Sequence, residues 1–415
     1  MIETTRFILP NGLRVVHNYD PSTAMAAVVT LYNVGARDER PEQTGIAHLF
    51  EHLMFGGSLN VKDFDGELQR AGGSSNAWTS NDFTMFYDVL PAQNIETALR
   101  IESDRMLQPA LSEKAIDVQR HVVVEEFKQQ CLNVPYGDRS HYLRKSAFTV
   151  HPYSWPVIGK VPEHIMEVTR DDAMRFFNTH YAPNNAVIAV SGNVRVERLA
   201  ELIEKWYGDI PAREIAPRDY PAEPEQKETR YAEAFGNVPA TMLTLAWKMD
   251  GYGTPEYYAA DLLTDVMANG NASRFYRKVL MENELFTELD ASILGSEEPG
   301  LLLINAKLND NSDEAVKHAL EKINEQIVDL TENGITDYEL QRVVNRLDST
   351  MTFNNINYVA KAMSLARHEL HNEDINKAME PYRRICAADI KATARKIFSP
   401  ERLTQLTYRC ANGAN

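Results

Sequence analysis

The feature that most limits the fold of this chain is that its second half repeats its first. Met242-Leu243-Thr244-Leu245-Ala246 matches Val28-Val29-Thr30-Leu31-Tyr32, and Asp261 to Gly270 lies over His48 to Gly57. Gln341-Arg342-Val343-Val344 echoes Gln119-Arg120-His121-Val122. Each match alone is loose, but three in the same order imply a duplicated domain of roughly 200 residues. At 415 residues the chain has ample length for two such cores. The stretch from Pro211 to Arg230 is rich in Pro, Glu and Arg and lacks apolar periodicity, which reads as a linker. The expected division is an N-terminal domain over 1–212, a linker over 213–229 and a C-terminal domain over 230–415.

Local patterns give the content of one repeat. Asn11-Gly12 supplies the positive φ of a tight turn between two short strands. Ala26 to Tyr32 is an almost unbroken apolar, β-branched run, the pattern of a buried strand. Ser74 to Ser80 and Thr84 to Leu90 read as two antiparallel strands around Asn81-Asp82, and Asn76-Ala77-Trp78-Thr79 reads as an edge strand. Helical spacing runs through Ile95, Ala98, Leu99 and Ile101, and a further helix spans about Ser112 to Cys131. The fold class is α+β: two duplicated α/β domains, each an antiparallel sheet faced by helices.

One segment carries chemistry. In Gly45-Ile46-Ala47-His48-Leu49-Phe50-Glu51-His52-Leu53-Met54-Phe55-Gly56-Gly57, an apolar run is interrupted by two histidines and a glutamate. Four residues apart on a helix, His48 and His52 stand one above the other on one face. Two imidazole nitrogens so placed can meet one metal ion at about 2.0–2.1 Å each. Glu51 lies beside them, placed to hold a water. A catalytic zinc takes three protein ligands, so an Asp, Glu or His must come from another element. Glu125 and Glu126 lie side by side on the Ser112–Cys131 helix, about 100° apart around its axis. Spacing does not choose between them or exclude His121. The second repeat has Asp261, Thr264 and Asp265 at the corresponding places, so only the first keeps a metal set.

The composition excludes other classes. A formal charge of -16 leaves no excess of Lys and Arg for phosphates, which argues against nucleic-acid binding. Cys131, Cys386 and Cys410 form neither a disulfide framework nor a CxxC zinc ribbon. No stretch of about 18 apolar residues is present, so no membrane span is expected. No basic region followed by an apolar core opens the chain at Met1-Ile2-Glu3-Thr4-Thr5-Arg6, and a cytoplasmic location is expected.

The chain resembles the M16 zinc peptidases, the inverzincins that include pitrilysin, insulin-degrading enzyme and mitochondrial processing peptidase. The resemblance rests on Pro10-Asn11-Gly12-Leu13, on His48-x-x-Glu51-His52 with its Gly-Gly tail, and on Gly72-Gly73-x-x-Asn76-Ala77. It continues through Arg120-x-Val122-Val123-x-Glu125-Glu126, Tyr181-x-Pro183-x-Asn185-Ala186 and Ser273-Arg274. It implies that Glu126, 74 residues past His52, is the third zinc ligand and that Glu51 is the general base. It implies that the strand holding Asn76 and Ala77 pairs with extended peptide substrate. Family members often carry a glutamate seven residues before the ligand; Gln119 stands there, able to hydrogen-bond to a ligand but adding no charge. The second domain departs further. Where the family has an Arg and a Tyr that bind substrate near the transition state, this chain has Leu280 and Thr287. Members of this kind commonly associate with a metal-less chain that supplies the pair. A heterodimer is therefore expected ahead of a homodimer. The activity implied is that of a zinc endopeptidase or its catalytic subunit, and the alternative is an inactive peptide-binding or assembly subunit.

Overall fold

The computed structural model describes residues 1–411, which form two compact units. Unit 1 comprises Met1–Phe127, Pro156–Tyr220 and Met351–Ala378; unit 2 comprises Lys128–Trp155, Pro221–Thr350 and, among the described residues, 379–411.

Unit 1 is built on a six-stranded sheet of β1 (Thr5–Ile8), β2 (Arg14–Tyr19), β3 (Met25–Tyr32), β4 (Ser74–Thr79), β5 (Thr84–Pro91) and β6 (Ala186–Gly192). The strand order is β1-β2-β6-β3-β5-β4. All neighbours are antiparallel except β2 and β6, which run parallel. Its helices, numbered along the whole chain, are α1 (Ile46–Met54), α2 (Phe64–Arg70), α3 (Ile95–Leu107) and α4 (Glu113–Phe127). They continue with α6 (Pro162–Met166), α7 (Arg170–His180), α8 (Val196–Tyr207) and α12 (Tyr358–Leu370).

The unbroken apolar run of β3 has a direct cause. Ala27, Val29 and Leu31 pack with Ala362, Leu365 and Ala366 of α12. Alternation sends Ala26, Val28, Thr30 and Tyr32 to the other face, where they are equally buried and α3 lies against β3 and β5. A central strand covered on both faces has no polar side to show. At the sheet's end, β4 pairs among the described residues with β5 alone, and its other edge is open.

Unit 2 repeats this plan with β7 (Arg230–Gly236), β8 (Met242–Met249), β9 (Phe286–Leu294), β10 (Gly300–Leu308) and β11 (Leu403–Cys410), in the order β7-β11-β8-β10-β9. Its helices are α5 (Arg139–Ala147), α9 (Pro255–Ala268), α10 (Asp313–Glu332), α11 (Asp337–Asn354), α13 (Glu380–Arg383) and α14 (Ala387–Ile397). The order matches β2-β6-β3-β5-β4 strand for strand, and the single parallel pair recurs between β7 and β11. The strands expected to correspond, at 28–32 and 242–246, are the equivalent β3 and β8. The helices at 48–57 and 261–270 are α1 and α9.

These units are not the contiguous halves expected from the linker. After α4 the chain enters unit 2, where Leu143 and Ala147 of α5 pack with Ala234, Ala246, Leu301 and Leu406. From Met351, in the last turn of α11, it belongs again to unit 1, where α12 follows. Each sheet thus takes one covering helix from the other repeat. Within the expected linker, the Glu223 carboxylate accepts N–H bonds from Thr149, Val150 and His151 and one from Lys248 Nζ.

Candidate metal centre

Helix α1 owes its start to two devices. Gly45, its N-cap, sits at φ +89°, the left-handed region that favours glycine, and a Cβ there would meet Ile158 O at 2.9 Å. No capping side chain is available at that residue, so the buried Glu39 carboxylate takes the N–H groups of Gly45 and Ala47 at 3.0 and 2.9 Å. A carboxylate at a helix N-terminus also suits the helix dipole. The helix buries Ile46, Ala47, Leu49, Phe50, Leu53 and Met54. Phe50 packs among Phe176, Phe177 and Tyr181, with the Tyr181 ring 4.5 Å away. Anchoring that face leaves His48, Glu51 and His52 on the other.

Helix α4 packs against α1 and brings up the third group. Glu126 Oε2 lies 3.7 Å from His48 Nε2 and 3.2 Å from His52 Nε2. Ligand atoms held tetrahedrally at about 2.0–2.1 Å from a zinc ion are roughly 3.3 Å apart, so these separations fit such an ion. Among the described residues this is the one group of three or more His, Cys, Asp or Glu side chains close enough to share a metal. Two imidazoles and one carboxylate are a donor set that zinc takes readily. Of the alternatives open at the sequence level, Glu125 is exposed one position round the helix. His121 is also exposed and turns Nδ1 to Asp117 O at 2.8 Å. Arg120 ties α4 to the end of α6 by donating to Met166 O and Val168 O at 2.8 and 3.2 Å. Gln119 stands two turns before Glu126, half-buried.

Burial acts on the two partly enclosed groups of α1 in opposite senses. Burial pushes the His48 imidazole down to about 4; Glu126 opposes this and His52 adds to it. His48 is therefore neutral near pH 7, the form that binds a metal. Burial raises the Glu51 carboxyl above the ordinary range, and the Thr79 hydroxyl, donating to Oε2 at 2.6 Å, counteracts it. Thr79 and Glu39 were not singled out in the sequence. Alternation along Asn76-Ala77-Trp78-Thr79 places Thr79 on the Ala77 face, yet nothing local sets that face over a helix 28 residues earlier.

Comparison with known proteins identifies the family. Residues 14–159 match the family model described as Insulinase (Peptidase family M16), and residues 167–347 match the one described as Peptidase M16 inactive domain. The chain belongs to the M16 peptidase family. It is 29% identical over 342 residues to the zinc protease PqqE of Helicobacter pylori, covering 81% of this chain and 76% of that protein. It is 27% identical over 268 residues to the mitochondrial-processing peptidase subunit beta of Saccharomyces cerevisiae, covering 63% and 57%. The crystal structure of a protease from Helicobacter pylori superposes with a TM-score of 0.92 at 25% identity, covering 99% of this chain and 100% of that one.

In this M16 chain Leu280 and Thr287 stand at the two positions expected to hold an Arg and a Tyr. Leu280 ends a helical turn at Tyr276–Leu280, and Thr287 lies in β9 with its hydroxyl donating to Lys307 O. Arg274 is engaged elsewhere: Nε and Nη2 grip Glu339 at 2.7 and 3.0 Å, Nη2 reaches Gly334 O and Nη1 reaches Asp329. It locks the turn between α10 and α11. No helix is long and apolar enough to cross a membrane among the described residues.

Proposed function

We propose that this chain is a zinc-dependent endopeptidase, or the catalytic subunit of one, acting on peptides or small unfolded proteins. The observation that carries the reading is the convergence of His48, His52 and Glu126 with Glu51 beside them. His48, His52 and Glu126 hold the metal in this reading. When bound, zinc acts as a Lewis acid that polarises a carbonyl and acidifies water.

The remaining work falls to side chains. Oε2 of Glu51 accepts from the Thr79 hydroxyl, and in this reading the other oxygen, Oε1, takes the proton as water attacks the scissile carbonyl carbon. As the C–N bond breaks, the same oxygen returns the proton to the leaving amine. Substrate binds as an added strand on the open edge of β4 beside Asn76 and Ala77, through main-chain groups, so side-chain preference is weak. Gln119, two turns before Glu126 on the same helix, can hydrogen-bond to a ligand without adding charge. The partner is a metal-less M16-like chain that supplies the Arg and Tyr absent at Leu280 and Thr287. A homodimer is the second assembly.

The same two positions favour the alternative, a peptide-binding or assembly subunit. Zinc stoichiometry and a quenched-peptide assay, with and without chelator, separate them. One zinc per chain with chelator-sensitive cleavage, alone or on adding the partner, is expected. Zinc-free protein inert under all conditions overturns the enzyme reading.

A further inference from the structure

We infer that Thr79 is a positioning residue that aims Glu51 and joins it to the edge on which substrate docks; this rests on the peptidase reading above. Three observations meet at this residue. Its hydroxyl donates to Glu51 Oε2 at 2.6 Å, well within the range of a charge-assisted bond. Its side chain shares a strand face with Ala77, toward α1, which packs on β4. Its main chain belongs to the open edge, for the following reason.

Along an antiparallel pair, residues alternate between bonding to the partner strand and pointing away from it. The amide of Ser80 donates to Phe83 O, and Ser80 faces Phe83 at the turn beyond the Thr79–Thr84 pair. Trp78 and Asn76 therefore bond to β5, while Thr79, Ala77 and Ser75 turn their N–H and C=O groups outward. The Ala77 amide confirms this parity, because it is met by the Asn76 side chain, Oδ1, at 2.8 Å rather than by β5. Thr79 thus turns its hydroxyl, and its backbone amide with it, to the general base, and leaves its carbonyl on the open edge.

With Oε2 held by the Thr79 hydroxyl, the Glu51 carboxylate is fixed in one orientation beside His52. Valine has the same shape without the donor, and serine keeps the donor without the methyl group.

The test compares full-length wild type, Thr79→Val, Thr79→Ser and Glu51→Gln by kcat and KM on a quenched peptide, zinc content per chain, and a crystal structure of the valine variant. Thr79→Val is expected to lose roughly 10- to 100-fold in kcat with KM within twofold and one zinc retained. Thr79→Ser is expected to recover most of the loss, and Glu51 is expected to leave its position in the valine variant. A kcat within twofold of wild type, an unmoved Glu51, or a serine variant as impaired as valine with zinc lost overturns the assignment. Failure of the underlying reading looks different: wild type is inert, or Glu51→Gln cuts at the wild-type rate, and the assignment falls with it.

Discussion

At the place of His48 the second repeat carries Asp261, and burial drives the two side chains in opposite directions. His48 is held neutral with Nε2 toward Glu126, whereas Asp261 has its carboxyl pushed up and its Oδ2 taken by the Tyr382 hydroxyl at 2.7 Å. Tyr258 packs against Tyr382 there, with ring centroids 4.9 Å apart. Asp265, in the place of His52, accepts from Asn269 Nδ2 at 2.6 Å. Asp348, where the register puts Glu126, pairs with Arg383 at 2.9 Å. Each donor of the lost set has turned to a neighbour of its own. A shared strand order therefore fixes where ligands can stand, and the partners of each side chain decide whether they converge.

The helix starts differ in the same spirit. Helix α9 is capped by its own Thr254, whose Oγ1 accepts from the Tyr257 amide at 3.2 Å, with Pro255 following. Helix α1 uses Gly45 and the distant Glu39. The ordinary cap is local and the helix that carries chemistry is capped from afar.

The sharpest way to break the contrast is to write the second repeat into the first. His52→Asp, the residue found at 265, should take zinc from one per chain to near none by metal analysis and abolish cleavage. Glu51→Gln should keep the zinc and lose roughly 10²- to 10⁴-fold in kcat, the usual worth of a general base. Wild-type rates from that variant would remove Glu51 from its role.

A pH titration of the zinc-free protein sets the two repeats against each other. The folded pKa of His48 lies near 4, below the ordinary 6.5, so the unfolded chain binds its proton first. Its contribution is present above pH 6.5 and is lost as pH falls toward 4, a loss on the order of 2–3 kcal/mol in unfolding free energy. Asp261 runs the other way: its folded pKa is raised, so it costs least at acid pH and more as pH rises from about 4. Asp261→Asn, which keeps an acceptor for Tyr382, should flatten that slope without loss of stability at pH 7. An unchanged denaturant midpoint across pH in His48→Gln and wild type alike would contradict the first half of this pair.

The caps give the smallest effects. Gly45→Ala should cost about 1–3 kcal/mol, combining strained φ with the clash at Ile158 O. Thr254→Ala should cost about 1 kcal/mol. Thermal midpoints in the presence of zinc rank the two, and equal losses would deny that α1 depends on its glycine.

Much of this was legible in the residues. The β3 run, the Asn11-Gly12 turn, the β4–β5 pair and the two histidines follow local rules, and the structure has each where the pattern put it. The third member of the proposed metal set was half-legible: spacing left Glu125, Glu126 and His121 open, family resemblance pointed to Glu126, and the fold brings that side chain to the histidines. Glu39 and Thr79 were illegible because their partners lie on other elements, set by tertiary packing. The exchange of α5 and α12 escaped for a related reason. An amphipathic helix announces that it has a face to bury, and says nothing of which sheet will receive it.

That exchange bears on how the chain comes off the ribosome. The first sheet is complete in sequence once β6 has been made, but Ala362, Leu365 and Ala366 that cover its β3 and β6 face arrive more than 150 residues later. At 5–20 residues per second the nascent chain carries that bare apolar face for roughly 10–30 s. The amide of Ile2 and the side chain of Arg6 likewise wait for Asn376 and Glu369. A gene cut at the linker would yield two polypeptides, each missing a wall of its own core. They would need to meet before either could be soluble.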